Sequence, residues 1–178
     1  MAHLIAAEIA TEQLNLSRVL LVPAARPPHK EGVSVSPFAD RLAMVRLVAE
    51  QNEVFEVSDI EAARPGASYT IQTVREIREA TGESALWFIM GADSLVQFFT
   101  WKEPEALLSE CRFAVAPRPG FDIQSVDPRV RERSVMLEMP LVGISATEIR
   151  ARVAAGRTIR YQVPAPVESY IREKSLYS

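Results

Sequence analysis

The sequence predicts an α/β protein with a Rossmann-like, doubly wound parallel sheet. Short apolar runs, typical of strands that are buried on both faces, alternate with segments of helical periodicity. Strands that alternate with helices form βαβ units, in which the strands are parallel. The length of 178 residues suits one domain with a sizeable core, and no internal repeat or linker divides it. Residues 1–178 are therefore predicted to form a single domain that binds ligands at the carboxyl ends of its strands.

The N-terminal half is predicted to open with an amphipathic helix over residues 3–14, because its apolar residues recur at helical spacing. An apolar strand follows, and the next segment contains prolines and a glycine, which predicts a loop. Pro37, after Ser36, has the position that proline favours at a helix start. The predicted elements after the first helix are a strand over 18–23, a loop over 24–36, a helix from Pro37, a strand over 54–58, a helix over 69–81 that ends at Gly82, and a strand over 86–90.

The C-terminal half continues the alternation from Gly91. A helix is predicted to begin at Ala92 or Asp93, and Asp93 is a candidate N-cap. Ser145, with Glu148 three residues later, predicts a capping box at a later helix start. The remaining predicted elements are a helix over 104–110, a strand over 113–116, a turn over 117–120, a loop with a short helix over 122–133, a strand over 135–138, a helix from Ser145 to about Ala155, and a helix over 164–174.

Composition and charge argue against several classes of function. A net charge of −3 disfavours non-specific nucleic-acid binding, so an anionic ligand must meet local Arg, Lys and helix N-termini. The single Cys111 cannot form an intramolecular disulfide, and no signal peptide or membrane-spanning run is found, so we expect a cytoplasmic protein without a membrane partner. The two histidines are far apart and Cys-x-x-Cys is absent, so no metal site is predicted. A homo-oligomer remains open.

The stretch Gly143–Arg150 has the pattern of an anion-binding helix start. The free N–H groups and positive dipole of such a start favour phosphate. Arg150 would add a guanidinium that suits bidentate phosphate contacts. Since many capped helices bind nothing, an ordinary capped helix is the alternative.

A second candidate site follows the most hydrophobic strand. Gly91 would let a ligand approach the backbone closely, and Asp93 could accept hydrogen bonds from ribose hydroxyls. Trp101 lies just beyond and could stack on a flat ring of a bound ligand, although a core tryptophan is the alternative. Cys111 has no nearby His or second Cys in the sequence and is expected to be buried or inert.

Four motifs follow one another along the chain. They are His3-Leu4 at a helix start, Pro27-Pro28-His29-Lys30, Gly91-Ala92-Asp93-Ser94-Leu95, and Ile144-Ser145-Ala146-Thr147-Glu148-Ile149-Arg150. In this order they resemble the nicotinate-nucleotide adenylyltransferases, of the nucleotidyltransferase superfamily with the His-x-Gly-His signature. The resemblance spans nearly the whole chain.

The chain departs from this family at its start. Family members carry a short strand and a loop of the form Gly-Thr-Phe-Asp-Pro-x-His before the residues that match Met1 to Leu4. His3 matches the second His of the signature, Ala2 stands where Gly is usual, and the first strand has no counterpart. A start codon assigned too late and a fragment would each account for this. The sheet is therefore expected to lack a central strand, which would lower its stability.

The resemblance implies adenylyl transfer, in which the 5′-phosphate of nicotinate mononucleotide attacks the α-phosphorus of ATP. Mg²⁺ would arrive with the triphosphate and keep its waters. The implied catalytic residues are His3, Lys30 and Arg150. The implied ATP-binding residues are His3, Gly91, Asp93, Ile144, Ser145, Thr147 and Arg150. The implied residues for nicotinate mononucleotide are Lys30, Tyr69, Thr70, Trp101 and Arg118.

These residues also have plain structural interpretations. His3 could fray at the chain start, and Lys30 could be a solvated lysine on the stiff loop after Pro27 and Pro28. Arg118 could brace a turn. Arg41 is expected on a helix face, where it could also order the loop of Lys30.

Two other functions stay open at this stage. One is a sister adenylyltransferase with nicotinamide mononucleotide or phosphopantetheine as acceptor, although Trp101 and Ser68-Tyr69-Thr70 argue against phosphopantetheine. The other is a catalytically inactive nucleotide-binding relative, because the first half of the signature has no counterpart.

Overall fold

Parallel strands form the centre of the fold in a computed structural model that describes residues 1–26 and 36–178. They form a two-stranded sheet with the order β1-β2 and a three-stranded sheet with the order β3-β4-β5. The strands are β1 (Val19–Leu21), β2 (Phe55–Val57), β3 (Trp87–Gly91), β4 (Arg112–Ala116) and β5 (Ser134–Met136). The helices in the described part of the chain are α1 (Ala2–Leu14), α2 (Phe38–Ala49), α3 (Thr70–Thr81), α4 (Ala92–Val96), α5 (Pro104–Glu110), α6 (Pro128–Glu132), α7 (Ala146–Ala154) and α8 (Ala165–Glu173).

These elements confirm the predicted α/β class and the predicted alternation of strands and helices, and α5 has the predicted bounds. Helix α4 begins at Ala92, one of the two predicted starts, but the candidate cap at Asp93 is wrong. Asp93 lies inside the first turn of α4 and makes no cap bond, because Gly91 occupies the N-cap position. Helix α2 begins directly after Pro37, which is its N-cap, and the Ser36 hydroxyl donates to the Tyr177 hydroxyl at 2.7 Å. Of the predicted loop over 24–36, residues 27–35 lie outside the described residues.

The three-stranded sheet carries the main core. Strand β4 is paired on both edges, and its three central residues, Phe113, Ala114 and Val115, are completely buried. Phe113 packs edge-on against Phe98, with ring centroids 5.2 Å apart, and Phe98 is also completely buried. Edge-on aromatic pairs add to the stabilisation from burial alone. This core holds the carboxyl ends of β3 and β4 rigidly in place.

The parallel strands do not form one continuous sheet, because β1 and β3 are not hydrogen-bonded to each other. The edge of β1 that is not paired with β2, and the edge of β3 that is not paired with β4, border one cavity. Helix α1 spans the division through small residues: Ala7 packs with β1 and β2, while Ala6 and Ala10 pack with Ala114 of β4. This division agrees with the expectation that the sheet lacks a central strand.

No helix in the described ranges is long and apolar enough to cross a membrane.

Helix α3 ends as the sequence predicts, at Gly82 in the left-handed conformation with a φ of 72°. The Gly82 N–H donates to the Arg78 carbonyl at 2.8 Å and closes the last turn.

We expect G82A to lower the free energy of unfolding by about 1 kcal/mol, since an alanine Cβ disfavours left-handed backbone. G143A is the matched control, because Gly143 has no positive φ and an added Cβ would meet no atom within 4 Å. Urea denaturation of both variants measures the difference, and equal midpoints would contradict the capping role of Gly82.

Candidate active site

A cavity of about 760 Å³ lies between the two sheets. All of β1 and all of β3 line it, and helices α1 and α3 contribute to its walls. The polar side chains of its lining come from separate parts of the chain and include His3, Glu61, Ser68, Thr70 and Arg118. The cavity also extends to the amino ends of β1 and β3, and its part at their carboxyl ends coincides with the edge at which open parallel sheets bind ligands.

Three of the predicted site residues form a charged cluster at this edge. The Arg118 Nε lies 3.6 Å from an Asp93 carboxylate oxygen. The charges of both groups shift the pKa of His3. The side chains of Arg118 and Asp93 remain 41% and 68% exposed, so their ion pair contributes about 1 kcal/mol at most. A ligand can therefore reach this ion pair, and separating its two partners costs little free energy.

Burial and neighbouring positive charge lower the pKa of His3. Desolvation is the largest cause, the positive N-terminus and Arg118 add to it, and the Asp93 carboxylate opposes it. His3 is an exposed residue, yet it lines the cavity, where a charge on the imidazole loses part of its hydration. At neutral pH and without ligand, the imidazole is thus mainly neutral, with one N–H to donate.

Gly91 allows Asp93 to hold its position. A Cβ at Gly91 would lie 2.4 Å from the Asp93 carboxylate oxygen and 3.6 Å from the Arg118 Nε. The backbone of Gly91 has ordinary extended angles (φ −77°, ψ 151°), so the glycine is required for space and not for conformation.

The predicted pyridine-site residues divide between the cavity and the core. Thr70 lines the cavity, whereas Tyr69 and Trp101 are half-buried against the main core. Trp101 packs with Phe88 and Phe98, each at a centroid distance of 5.8 Å. Trp101 is therefore a core residue with part of its surface exposed, as one of the two interpretations of the sequence expected.

The start of α7 is built as the sequence predicts, in part. The Ser145 hydroxyl accepts a hydrogen bond from the Glu148 N–H at 3.1 Å, which caps the helix, but among the described contacts the reciprocal bond of a capping box is not formed. Arg150 donates to the Thr147 hydroxyl at 3.2 Å. The cavity lining ends at Val142, shortly before Ile144, so the structure does not join α7 to the cavity.

Lys30, the remaining predicted catalytic residue, lies outside the described residues, as does His29. Arg41 lies on helix α2, as expected, and contacts the described residues on either side of this segment. Its guanidinium donates to the Ala24 and Ala25 carbonyls at 2.5 and 3.2 Å, and to the Ser36 carbonyl at 3.1 Å.

Sequence reasoning missed two polar residues of the cavity wall, Glu61 and Thr73. Both are more than nine-tenths buried and are joined by a hydrogen bond of 2.6 Å. A carboxylate in a polar stretch and a threonine in the first turn of a helix carry no signal of burial in the sequence.

Cys111 is buried, as predicted, and desolvation raises the pKa of its thiol to about 12. It therefore stays protonated and unreactive at neutral pH. Within the described ranges, no group of three or more His, Cys, Asp or Glu side chains could hold a metal ion.

The parallel α/β fold, with a charged cluster at the carboxyl edge of its strands, is the architecture of the nucleotidyltransferase class. The family described as cytidylyltransferase-like matches residues 1–152. A Thermomicrobium roseum protein named probable nicotinate-nucleotide adenylyltransferase is 45% identical over 180 residues, with 98% of this chain and 84% of the relative covered. A Thermus thermophilus protein of the same name is 45% identical over 177 residues, with 99% and 92% covered. The chain belongs to the nicotinate-nucleotide adenylyltransferase family.

Solved structures agree at the level of the fold. The chain resembles Plasmodium falciparum nicotinic acid mononucleotide adenylyltransferase complexed with NaAD, with a TM-score of 0.78 and 20% identity. The match covers 99% of this chain and 90% of the other. The same protein complexed with APC gives a TM-score of 0.77 at 18% identity and the same coverage.

We expect His3 to titrate below the usual histidine pKa of about 6.5. R118Q should raise the His3 pKa, because it removes a positive charge, and D93N should lower it further, because it removes the opposing negative charge. NMR titration of the His3 ring measures the shifts, with the His29 signal assigned through H29Q. If His3 titrates identically in the parent chain and in both variants, the cluster does not exist in solution.

Proposed function

We propose that this chain transfers the adenylyl group of ATP to nicotinate mononucleotide, giving nicotinate adenine dinucleotide and pyrophosphate. The main support is the juxtaposition of His3, Asp93 and Arg118 at the carboxyl edge of the sheet, in a chain 45% identical to relatives named for this reaction. We also propose that Mg²⁺ enters with ATP as part of the substrate and keeps several of its waters.

The chemistry requires positioning and charge more than proton transfer. The attacking 5′-phosphate is already an anion, so no general base is needed. Negative charge grows on the transferring phosphoryl group and on the pyrophosphate, where hydrogen-bond donors and cations stabilise it. Holding the two anions in line supplies the rest of the acceleration.

On the ATP side, His3 would donate to the transferring phosphate, and Asp93 would accept from ribose hydroxyls beside the close-approach position at Gly91. The start of α7 would hold phosphate oxygens through Ser145 and Thr147. The further proposed ligands are the backbone of Ile144 and the guanidinium of Arg150. This arrangement requires α7 and the cavity edge to reach the same nucleotide.

On the acceptor side, Thr70 and Tyr69 would hold the nicotinate through the turn before α3, and Trp101 would face the pyridine ring. Arg118 and Lys30 would meet the acceptor phosphate. Arg118 is then released from Asp93, which is inexpensive because the ion pair is exposed.

We further propose a cytoplasmic setting, with ATP and nicotinate mononucleotide as the partners. The lone protonated thiol of Cys111 fits a reducing compartment.

The direct test is pyrophosphate release from MgATP with nicotinate mononucleotide, nicotinamide mononucleotide or phosphopantetheine as acceptor. We expect release that depends on nicotinate mononucleotide and exceeds release with the other two. A preference for another acceptor would identify a sister enzyme, and no release above the acceptor-free control would favour an inactive nucleotide-binding relative.

We expect G91A to raise the KM for ATP by about tenfold or more, because the new Cβ displaces the Asp93 carboxylate. The free energy of unfolding should change by less than about 1 kcal/mol, since the displaced group ends an exposed side chain. Steady-state kinetics of G91A, D93A and the double variant form the test. In the D93A background, G91A should have no further effect on the KM, and additive effects would exclude a route through Asp93.

A further inference from the structure

Glu61 is a buried carboxyl group that the proposed chemistry does not use. Its residue surface is only 7% exposed, and it lines the cavity between the sheets. One carboxylate oxygen accepts from the Thr73 hydroxyl at 2.6 Å, and the other accepts from the Ala25 N–H at 3.2 Å. Carboxylates are almost never buried unless their charge is paired and hydrogen-bonded.

The Thr73 hydroxyl also connects Glu61 to Arg64. The Arg64 guanidinium donates to the Thr73 hydroxyl oxygen at 3.1 Å, and its side chain is only 13% exposed. Arg64 also donates to the Glu76 carboxylate at 2.7 Å and to the Gln72 side-chain oxygen at 3.3 Å. The first turns of α3 are thereby fixed to the segment that precedes them.

The same carboxyl group connects two segments that are distant in sequence. Ala25 follows β1, whereas Thr73 lies in α3, next to the turn formed by residues 68–70. Two more bonds run parallel to this connection: the Ser68 N–H donates to the Arg26 carbonyl at 2.9 Å, and the Arg26 N–H donates to the Ser68 hydroxyl at 3.1 Å. Ser68, Thr70 and Thr73 all face the cavity.

We propose that Glu61 is a positioning residue for the acceptor half of the site. Its two hydrogen bonds fix the turn of residues 68–70 against the end of β1, and this fixes the groups that hold the nicotinate. This inference rests on the proposed function, because it assigns nicotinate mononucleotide to that turn. The ATP half of the site, around Gly91 and Asp93, is held by the pairing of β3 with β4 and does not depend on Glu61.

Substitutions at Glu61 differ in what they remove. In E61Q, the amide oxygen can still accept from the Ala25 N–H, and the amide N–H can donate to the Thr73 hydroxyl, so the connection survives. In E61A, both bonds are lost: the part-buried Ala25 N–H loses its acceptor, and the buried Thr73 hydroxyl keeps only a long bond to the Tyr69 carbonyl at 3.4 Å, which is the costly case. T73V keeps the bond to the Ala25 N–H but removes the bond between α3 and Glu61, together with the bond that Arg64 donates to the Thr73 hydroxyl.

The experiment is calorimetric titration of the whole chain with nicotinate mononucleotide and, separately, with the non-reacting analogue α,β-methylene ATP. We expect E61A to weaken nicotinate mononucleotide binding by about tenfold or more and analogue binding by less than about twofold. E61Q should stay within about threefold of the parent chain for both ligands, and T73V should fall between E61Q and E61A for the acceptor.

E110A is the matched control, because Glu110 is also a mostly buried carboxylate that links α3 to another helix, through Arg75 and Arg78, but does not line the cavity. It should lower the thermal unfolding midpoint and leave both affinities unchanged. If E61A does not fold, T73V decides the question with the same two titrations.

The outcomes separate this inference from the proposed function. If the parent chain binds nicotinate mononucleotide but the folded E61A variant, or failing that T73V, binds it equally well, the positioning role is wrong and the function stands. If the variant binds both ligands more weakly by the same factor, the substitution has a general structural effect, and the positioning role of Glu61 is wrong as well. If the parent chain binds neither ligand, the proposed function fails, and the inference fails with it.

Discussion

The register between β3 and β4 is the constraint on which the site depends. Gly91 pairs with Ala116 at the last position of a five-residue parallel ladder. Asp93 lies two residues after Gly91, and Arg118 lies two residues after Ala116. The pairing of the two strands therefore brings the carboxylate and the guanidinium together. Because a slip of one residue turns every side chain to the opposite face, burial of Phe113 and Val115 secures this register. The core thus determines which charges meet at the sheet edge.

Helix α1 determines where His3 lies relative to that edge. Its alanines at positions 6, 7 and 10 are almost fully buried and let the helix backbone approach both sheets closely. A helix with larger side chains on this face would stand further from the strands. The position of His3 near Asp93 and Arg118 therefore follows from residues that carry no chemistry, one to two turns further along the helix.

The sequence predicted the regular elements well because their signal is local. Helical periodicity and short apolar runs are properties of neighbouring residues. Such local patterns were enough to predict α3 and its end at Gly82. The cap at Asp93 was wrong for a physical reason: β3 extends to Gly91, so the helix starts directly after the strand and Asp93 enters the first turn. Local patterns could not decide between these two positions.

The network around Glu61 could not be predicted from the sequence. Its bond to Ala25 joins residues 36 positions apart, and only the packing of α3 against the end of β1 buries both groups. The cluster of His3, Asp93 and Arg118 was predicted as separate residues, but their juxtaposition depends on strand register and on the position of α1. Where the chain makes a polar contact across two elements, it is the tertiary packing that sets the partner.

Two pairs of polar residues, Asp93 with Arg118 and Glu61 with Thr73, differ in how firmly they are held. This difference suits the roles proposed for them. Asp93 and Arg118 are exposed and weakly paired, so a ligand can replace either partner at little cost. Glu61 and Thr73 are buried with short hydrogen bonds, so breaking them leaves unpaired groups away from water. Groups that must exchange partners with a substrate belong to the first kind, and groups that fix a binding turn belong to the second. Arg118, Glu61 and Thr73 all line the same cavity, so one exposed and weakly paired group and one firmly held buried pair lie along its lining.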